Sequence, residues 1–329
     1  MSAIDLHAHL APRAVLERLG WLTDDGHTVR LRMGDGWQAV TPALVDPIAL
    51  LADADRTGIS VRAPSLPPFL LRHDLPAAEG TAYSRAMNDG LTAIAAAHGG
   101  RLLPLATVPL QDPAAAVEEL RRAVTDLGLA GVEIATNVGG RGNLDDPALE
   151  PFWDAAEALG ALVFIHPHDV AGSGTMQSYH LRNLVGNPLE TALAGARLVF
   201  GGVLARHPAL QVLLAHGGGA LPWLLGRLDQ GFRVRPECRG IDSPPSAWAR
   251  RFFYDTVVFN TEILRALVAW MGADQVVLGT DFPFDMGDAR PVASVTEAVT
   301  DADRRRAILE RNPLRLLARV PAAPTTGNR

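Results

Sequence analysis

Eight short β-like runs, separated by helical stretches, set the tightest limit on what this chain can fold into. The runs are AIDLHA (3–8), GISVRA (58–63), LLPLATV (102–108), AGVEIA (130–135), ALVFIH (161–166), QVLLAH (211–216), FFYDTV (252–257) and QVVLGT (275–280). Amphipathic stretches such as DPIALLADADRTG, YSRAMNDGLTAIAAAHG and ILRALVAWMG fall between them. Strands alternating with helices in this way predict an α/β fold of the (β/α)8 TIM barrel type. A doubly wound open sheet is the competing architecture, but no GxGxxG follows the first strand. Residues 11–48 break the alternation, and GHTVRLRMGDGWQAV within them predicts a small antiparallel insertion after strand 1. One domain over 1–318 follows, with a disordered tail over 319–329 that ends PAAPTTGNR.

Composition narrows the function classes. Of the 329 residues, 48% are hydrophobic and 20% charged, an ordinary globular balance. The net charge of −6, with no basic cluster, argues against a nucleic acid partner. Apolar runs such as ALVFI fall far short of the roughly 20 residues a membrane span needs. The start, MSAIDLHAHL, shows no secretory signal, and the single cysteine, Cys238, excludes an internal disulfide. Both fit a cytoplasmic protein. All 30 basic residues are arginine. Without lysine, Schiff-base catalysis, lysine-linked pyridoxal phosphate and a carboxylated-lysine metal bridge are impossible, and no organic cofactor is expected.

The polar residues gather at strand ends. Asp5, His7 and His9 form D-x-H-x-H, and alternation puts His7 and His9 on one face. His166 closes the fifth run inside HPH, His216 the sixth inside AHGGG, and Asp281 follows the eighth inside GTDFPF. Barrel enzymes build their sites at that face. Each residue alone has a bland explanation: a chance HxH, a hydrogen-bonded core histidine, an aspartate capping a turn. Together they predict a metal centre, with zinc or iron as the ion.

Other residues rank lower. His168 should point the same way as His166, as an acid–base group, a further ligand or a pocket wall. His73 and His180 lie in expected loops within reach, whereas His27, His98 and His207 read as surface or helix-end residues. HGGG (216–219) lacks a G-x-S-x-G elbow elsewhere in the chain, which disfavours serine hydrolysis. Cys238 has no histidine partner nearby in sequence and reads as inert. Trp37, Pro67, Phe69, Phe282 and Phe284 are candidate walls of a partly apolar pocket.

Over IDLHAHLAPR, GNPLETALAGARLVFGGVLARHPALQVLLAHGGGALPWLLGRLDQGFRVRPE and VVLGTDFPFDMGD the chain resembles the amidohydrolase superfamily. The branch is the one containing aminocarboxymuconate semialdehyde decarboxylase, and the resemblance extends to RNPLRLL. It implies that His7, His9, His166 and Asp281 bind a catalytic metal. His216 would handle the metal-bound water or enter the metal shell. It also implies a homodimer in which Arg235 reaches across the interface to a substrate carboxylate; the bland counterpart is a solvated charge.

Aligned with that decarboxylase, four positions depart. Gln38 replaces an arginine that helps hold the substrate carboxylate, His168 a pocket tryptophan, Glu133 a glutamine and Asn137 a histidine. The changes imply a different substrate on an unchanged metal core. In two-metal members of the superfamily the residue ending strand 4 bridges the ions, as a carboxylated lysine or a glutamate. Glu133 is then the candidate bridge, with His7, His9 and Asp281 on one ion and His166 and His216 on the other. Its bland counterpart is a carboxylate orienting a ligand histidine. One or two divalent ions are expected, two being preferred.

The implied function is a metal-dependent enzyme that turns a metal-activated oxygen species on a small, partly apolar molecule bearing a carboxylate or carbonyl. Hydrolysis or non-oxidative decarboxylation is expected, with His216, His168 and Asp281 as catalytic groups and Arg235, Gln38, Trp37 and Phe282 at the substrate. The alternative that the resemblance also reaches is a nonhaem diiron monooxygenase of actinobacterial terpenoid metabolism. A binding protein that has lost catalysis is the third reading.

Overall fold

The computed structural model describes residues 2–33, 36–140 and 142–318. The tail expected from 319 onward lies outside them. In chain order, β1 (Ala3–His9) is followed by three short strands, β2 (Leu22–Asp24), β3 (Val29–Met33) and β4 (Gly36–Val40), which pair antiparallel in that order. Then β5 (Ile59–Ser65) returns to pair parallel with β1. Next come β6 (Gly131–Ala135), β7 (Leu162–His166), β8 (Gln211–Leu214), β9 (Phe253–Asp255) and β10 (Val276–Val277), a five-stranded parallel sheet in chain order. The fold is α/β with a parallel sheet.

Every residue of β1, β6 and β7 is buried, as parallel strands covered on both faces must be. Single parallel bridges continue the ladder at Arg62–Leu102, Ala106–Val132 and Ala8–Phe282. The run at 102–108 does not form a continuous strand. Pro104 has no N–H to give, so pairing contracts to Leu102 and Ala106 on either side of it. The last run contracts likewise, from 275–280 to the two residues of β10.

Helices fill the connections. Two of them begin at Asp-Pro pairs: α1 (Pro47–Thr57) and, after α2 (Ala77–Ala97), α3 (Pro113–Thr125). The Asp46 carboxylate accepts the Ile48 amide at 2.8 Å and Asp112 accepts that of Ala115 at 3.2 Å, while the proline pre-sets φ for the first turn. Strand alternation sorts the core into two layers. Val132, Ile134, Val163, Ile165, Val212 and Leu214 share one cluster with helix residues such as Phe152 and Trp153. Leu162, Phe164, Leu213 and Phe253 form another on the opposite face. Glu133 is opposite Phe164 in register, so it shares that second face with His166. Gly131 permits this pairing: its φ is 155°, and a Cβ there would meet the Leu162 carbonyl oxygen at 2.2 Å.

Candidate metal centre

His7 and His9 occupy the C-terminal end of β1, His166 closes β7, and Asp281 follows β10. All four are buried, and one donor atom from each lies within 4.8 Å of the others. The Nδ1 atoms are engaged elsewhere. That of His7 meets Asp255 Oδ2 at 2.6 Å, that of His9 the Leu66 carbonyl at 3.1 Å, and that of His166 the Pro167 carbonyl at 3.1 Å. A ring nitrogen facing such an oxygen donates its hydrogen, which leaves the lone pair on Nε2.

These lone pairs converge on a carboxylate. His7 Nε2 and His9 Nε2 lie 3.3 and 3.1 Å from Asp281 Oδ1. Among the described residues, Nε2 of His7 and of His166 has no hydrogen-bond partner. Buried acceptors aimed at one another repel unless a cation stands between them. Three imidazoles and a carboxylate are a donor set that suits a divalent ion such as zinc or iron.

The charges agree. Burial keeps His9 and His166 below the usual histidine range, hence neutral and ready to ligate. Burial also opposes charge on His7, but Asp281 and Asp255 outweigh it and push its pKa up to about 10, so that without a cation a proton takes its place on Nε2. Asp281 would be raised by burial, yet the charge of His7 and the nearness of His216 and His9 hold it well below the carboxylate range. The cluster calls for positive charge at one point. Asp281 and His216 also hold φ values of 58° and 57°, a conformation that costs residues other than glycine and that collects at functional sites.

The family profile described as Amidohydrolase matches residues 4–319. The chain belongs to the amidohydrolase family. It is 35% identical over 300 residues to 2-amino-3-carboxymuconate-6-semialdehyde decarboxylase of Dictyostelium discoideum, covering 88% of this chain and 83% of that protein. It is 28% identical to 6-methylsalicylic acid decarboxylase of Penicillium expansum, covering 88% of this chain and 87% of that one. The crystal structure of 5-carboxyvanillate decarboxylase from Sphingomonas paucimobilis matches with a TM-score of 0.83 at 26% identity, covering 96% of this chain and 99% of that one. This amidohydrolase therefore stands in the aminocarboxymuconate semialdehyde decarboxylase branch and is an enzyme of the decarboxylase and hydrolase kind.

Two carboxylates support the amidohydrolase's cluster: Asp5 of the D-x-H-x-H motif, and Asp255, which the sequence reading did not single out. Fully buried Asp255 accepts the amides of His216 at 2.9 Å, Gly217 at 2.8 Å and Val257 at 3.0 Å besides His7 Nδ1. Asp5 accepts the His7 amide at 3.0 Å, Thr280 Oγ1 at 2.7 Å and Nε of the buried Arg62 at 2.8 Å. The signal for Asp255 was present: a lone carboxylate in apolar FFYDTV, the same anomaly that marks Glu133.

Glu133 is fully buried, and neither carboxylate oxygen has a hydrogen-bond partner among the described residues. Burial pushes its pKa up to about 8. It is not part of the four-donor set, and neither is His216, whose Nε2 lies 3.3 Å from Asp281 Oδ2. The His166 ring lies 5.0 Å from that of His216 and 5.1 Å from those of His7 and His9.

A cavity of about 1210 Å³ opens on His166, His216 and Asp281, and Gln38, Phe69, His73, His168, His180 and Phe284 line it. Trp37, Pro67 and Phe282 are not among its lining residues. The Phe282 ring lies under the Arg62 guanidinium at 4.8 Å, and Trp37 on β4 is 46% exposed. Asn137 donates to the His168 carbonyl at 3.0 Å and so ties down that loop. Arg235 is exposed within the single chain and donates to Glu237 Oε1 at 2.6 Å, away from the cavity. The arginines among the residues that line the cavity are Arg32, Arg72 and Arg182. Among the described residues, no helix is long and apolar enough to cross a membrane.

Proposed function

We propose that this amidohydrolase is a metal-dependent, non-oxidative decarboxylase of a small unsaturated or aromatic carboxylic acid. The convergence of His7, His9, His166 and Asp281 beside a cavity lined by arginines carries the reading. The decarboxylase names of its relatives support it. A bound divalent ion would supply Lewis-acid chemistry, fixing the substrate's oxygens and stabilising negative charge as it develops. His7, His9, His166 and Asp281 would hold that ion. Arg32 and Arg182 orient the anion. His216, with Nδ1 unpartnered and Nε2 against Asp281, holds the proton that replaces the departing carboxyl group. The C–C bond breaks with its electrons left on carbon, that carbon takes the proton, and CO2 leaves. His168, on the cavity wall, is the second group placed to move a proton.

The frame of the reading is a closed (β/α)8 barrel over 1–318 carrying an insertion at 11–48, supported by the bridges that extend the ladder to Ala8 and Phe282. It keeps a cytoplasmic homodimer in which exposed Arg235 reaches the neighbour's cavity. None of the relatives named above is an oxygenase, and the diiron alternative draws no support from them.

A second reading, two ions bridged by Glu133, rests on the two unpartnered oxygens of that buried carboxylate. One set of measurements tests both. Protein loaded with zinc or iron is assayed for metal content, O2 uptake and CO2 release from 5-carboxyvanillate, 6-methylsalicylate and related acids. One ion per chain, CO2 without O2 uptake, and loss of both metal and CO2 release in His166→Ala are expected. Two ions falling to one in Glu133→Gln would instead establish the bridge. CO2 release by metal-free protein would overturn the proposal.

A further inference from the structure

A second cavity, of about 360 Å³, opens beside the candidate metal centre. Its walls include Pro222, Trp223, Val258, Phe259, Ile263 and Trp270, and no arginine is among its lining residues. It is not a remote dent. Asn183, Asn187, His216, Asp281 and Met286 border both this chamber and the wide cavity lined by Arg32, Arg72 and Arg182. The reacting end of a bound acid would therefore face a charged cavity on one side and an apolar chamber on the other.

We propose that the substrate is an amphipathic acid whose apolar body, larger than a single ring, occupies this second chamber. The proposal rests on the carboxylate reading of the cluster given above. Volume is the first argument: at about 30 Å³ per water-sized unit, the chamber takes roughly a dozen heavy atoms beyond those seated at the cluster. Chemistry is the second. The rings of Trp223 and Trp270 meet edge to face at 4.8 Å, yet both stay largely uncovered, at 53% and 42% exposure. Strain is the third. Phe259 stands at φ 55° and is 57% exposed. A bulky side chain at positive φ is a backbone outlier, and such strain persists where function uses it. Here it sets an aromatic ring on the chamber rim.

The test is calorimetric titration of the metal-loaded protein with benzoate, 4-butylbenzoate and 4-hexylbenzoate. Each methylene taken from water adds roughly fourfold in affinity at best. At least a tenfold gain from benzoate to 4-hexylbenzoate is expected. Ile263→Glu, on an accessible helix, and Phe259→Asn, which suits positive φ, should both remove most of that gain and leave benzoate binding within twofold. Benzoate binding with no gain from the alkyl chain overturns the chamber alone. Alkyl-dependent binding that 4-hexylbenzyl alcohol matches overturns the carboxylate reading and retains the apolar subsite. A flat series in a homodimer that Ile263→Glu converts to monomer assigns the face to a second copy and overturns the proposal.

Discussion

Asp255 accepts three backbone amides and the Nδ1 hydrogen of His7 from a position with no solvent exposure. It is lowered below the carboxylate range although burial acts the other way, because His7 and His216 and these donors favour its charge. Replacing it by asparagine swaps one acceptor oxygen for a donor. The new NH2 then opposes either His7 Nδ1 and the His216 amide, or the amides of Gly217 and Val257, and either clash disturbs the hold on His7. Asp255→Asn is expected to weaken metal binding about 10–100-fold, measured by competition with a chelator. It should also lower stability by about 1–3 kcal/mol through unsatisfied buried groups. Wild-type metal affinity in that variant would show that His7 needs no such partner. At this scale the donors were legible because each is a polar residue at the end of an apolar run. Asp255 was equally legible in kind, but its role depends on reaching His7 from 248 positions away, which no local pattern records.

HGGG looks like a catalytic motif in sequence, whereas in the fold it is a tight reversal tied to Asp255 by the amides of His216 and Gly217. Gly219 has φ 58°, and a Cβ there would meet the Pro188 carbonyl oxygen at 2.2 Å. Backbone cannot yield as a flexible side chain can. Gly219→Ala is expected to cost about 2 kcal/mol or more. Gly226→Ala, in the helix Leu221–Val234 with nothing within 4 Å of its Cβ, should stabilise by about 0.5–1 kcal/mol. Urea midpoints of the two variants, read against wild type, check the pair. Strands flanked by glycine and helices opened by Asp-Pro were legible for the same local reasons. The run at 102–108 was not, because Pro104 interrupts pairing that its apolar neighbours otherwise favour.

Across the whole molecule, the site is assembled from segments that meet only when the strands align, and its support comes from residues that look ordinary in sequence. Arg62 is the clearest: fully buried, it joins Asp5 on β1 to Asp53 on α1, at 2.8 and 2.7 Å. His73 lines the wide cavity, is 7% exposed, and has an Nε2 with no hydrogen-bond partner among the described residues. Burial, and then the charge of His168, push its pKa down to about 4 from the ordinary 6.5. Below 6.5 the unfolded chain therefore takes up a proton that the folded chain refuses until about pH 4. Stability contributed by neutral His73 is present above 6.5, falls as pH drops through that window, and is fully lost below about 4. By pH 5 the loss amounts to about 2 kcal/mol relative to neutral pH. Other buried groups titrate in the same range, so the comparison is with His73→Gln, which keeps a polar side chain but has no proton to gain. Denaturant unfolding of both proteins at pH 7 and pH 5 should show the wild type losing about 2 kcal/mol more than the variant. Equal losses would mean that His73 reaches water, or a partner, in the folded state and holds no stored sensitivity to acid.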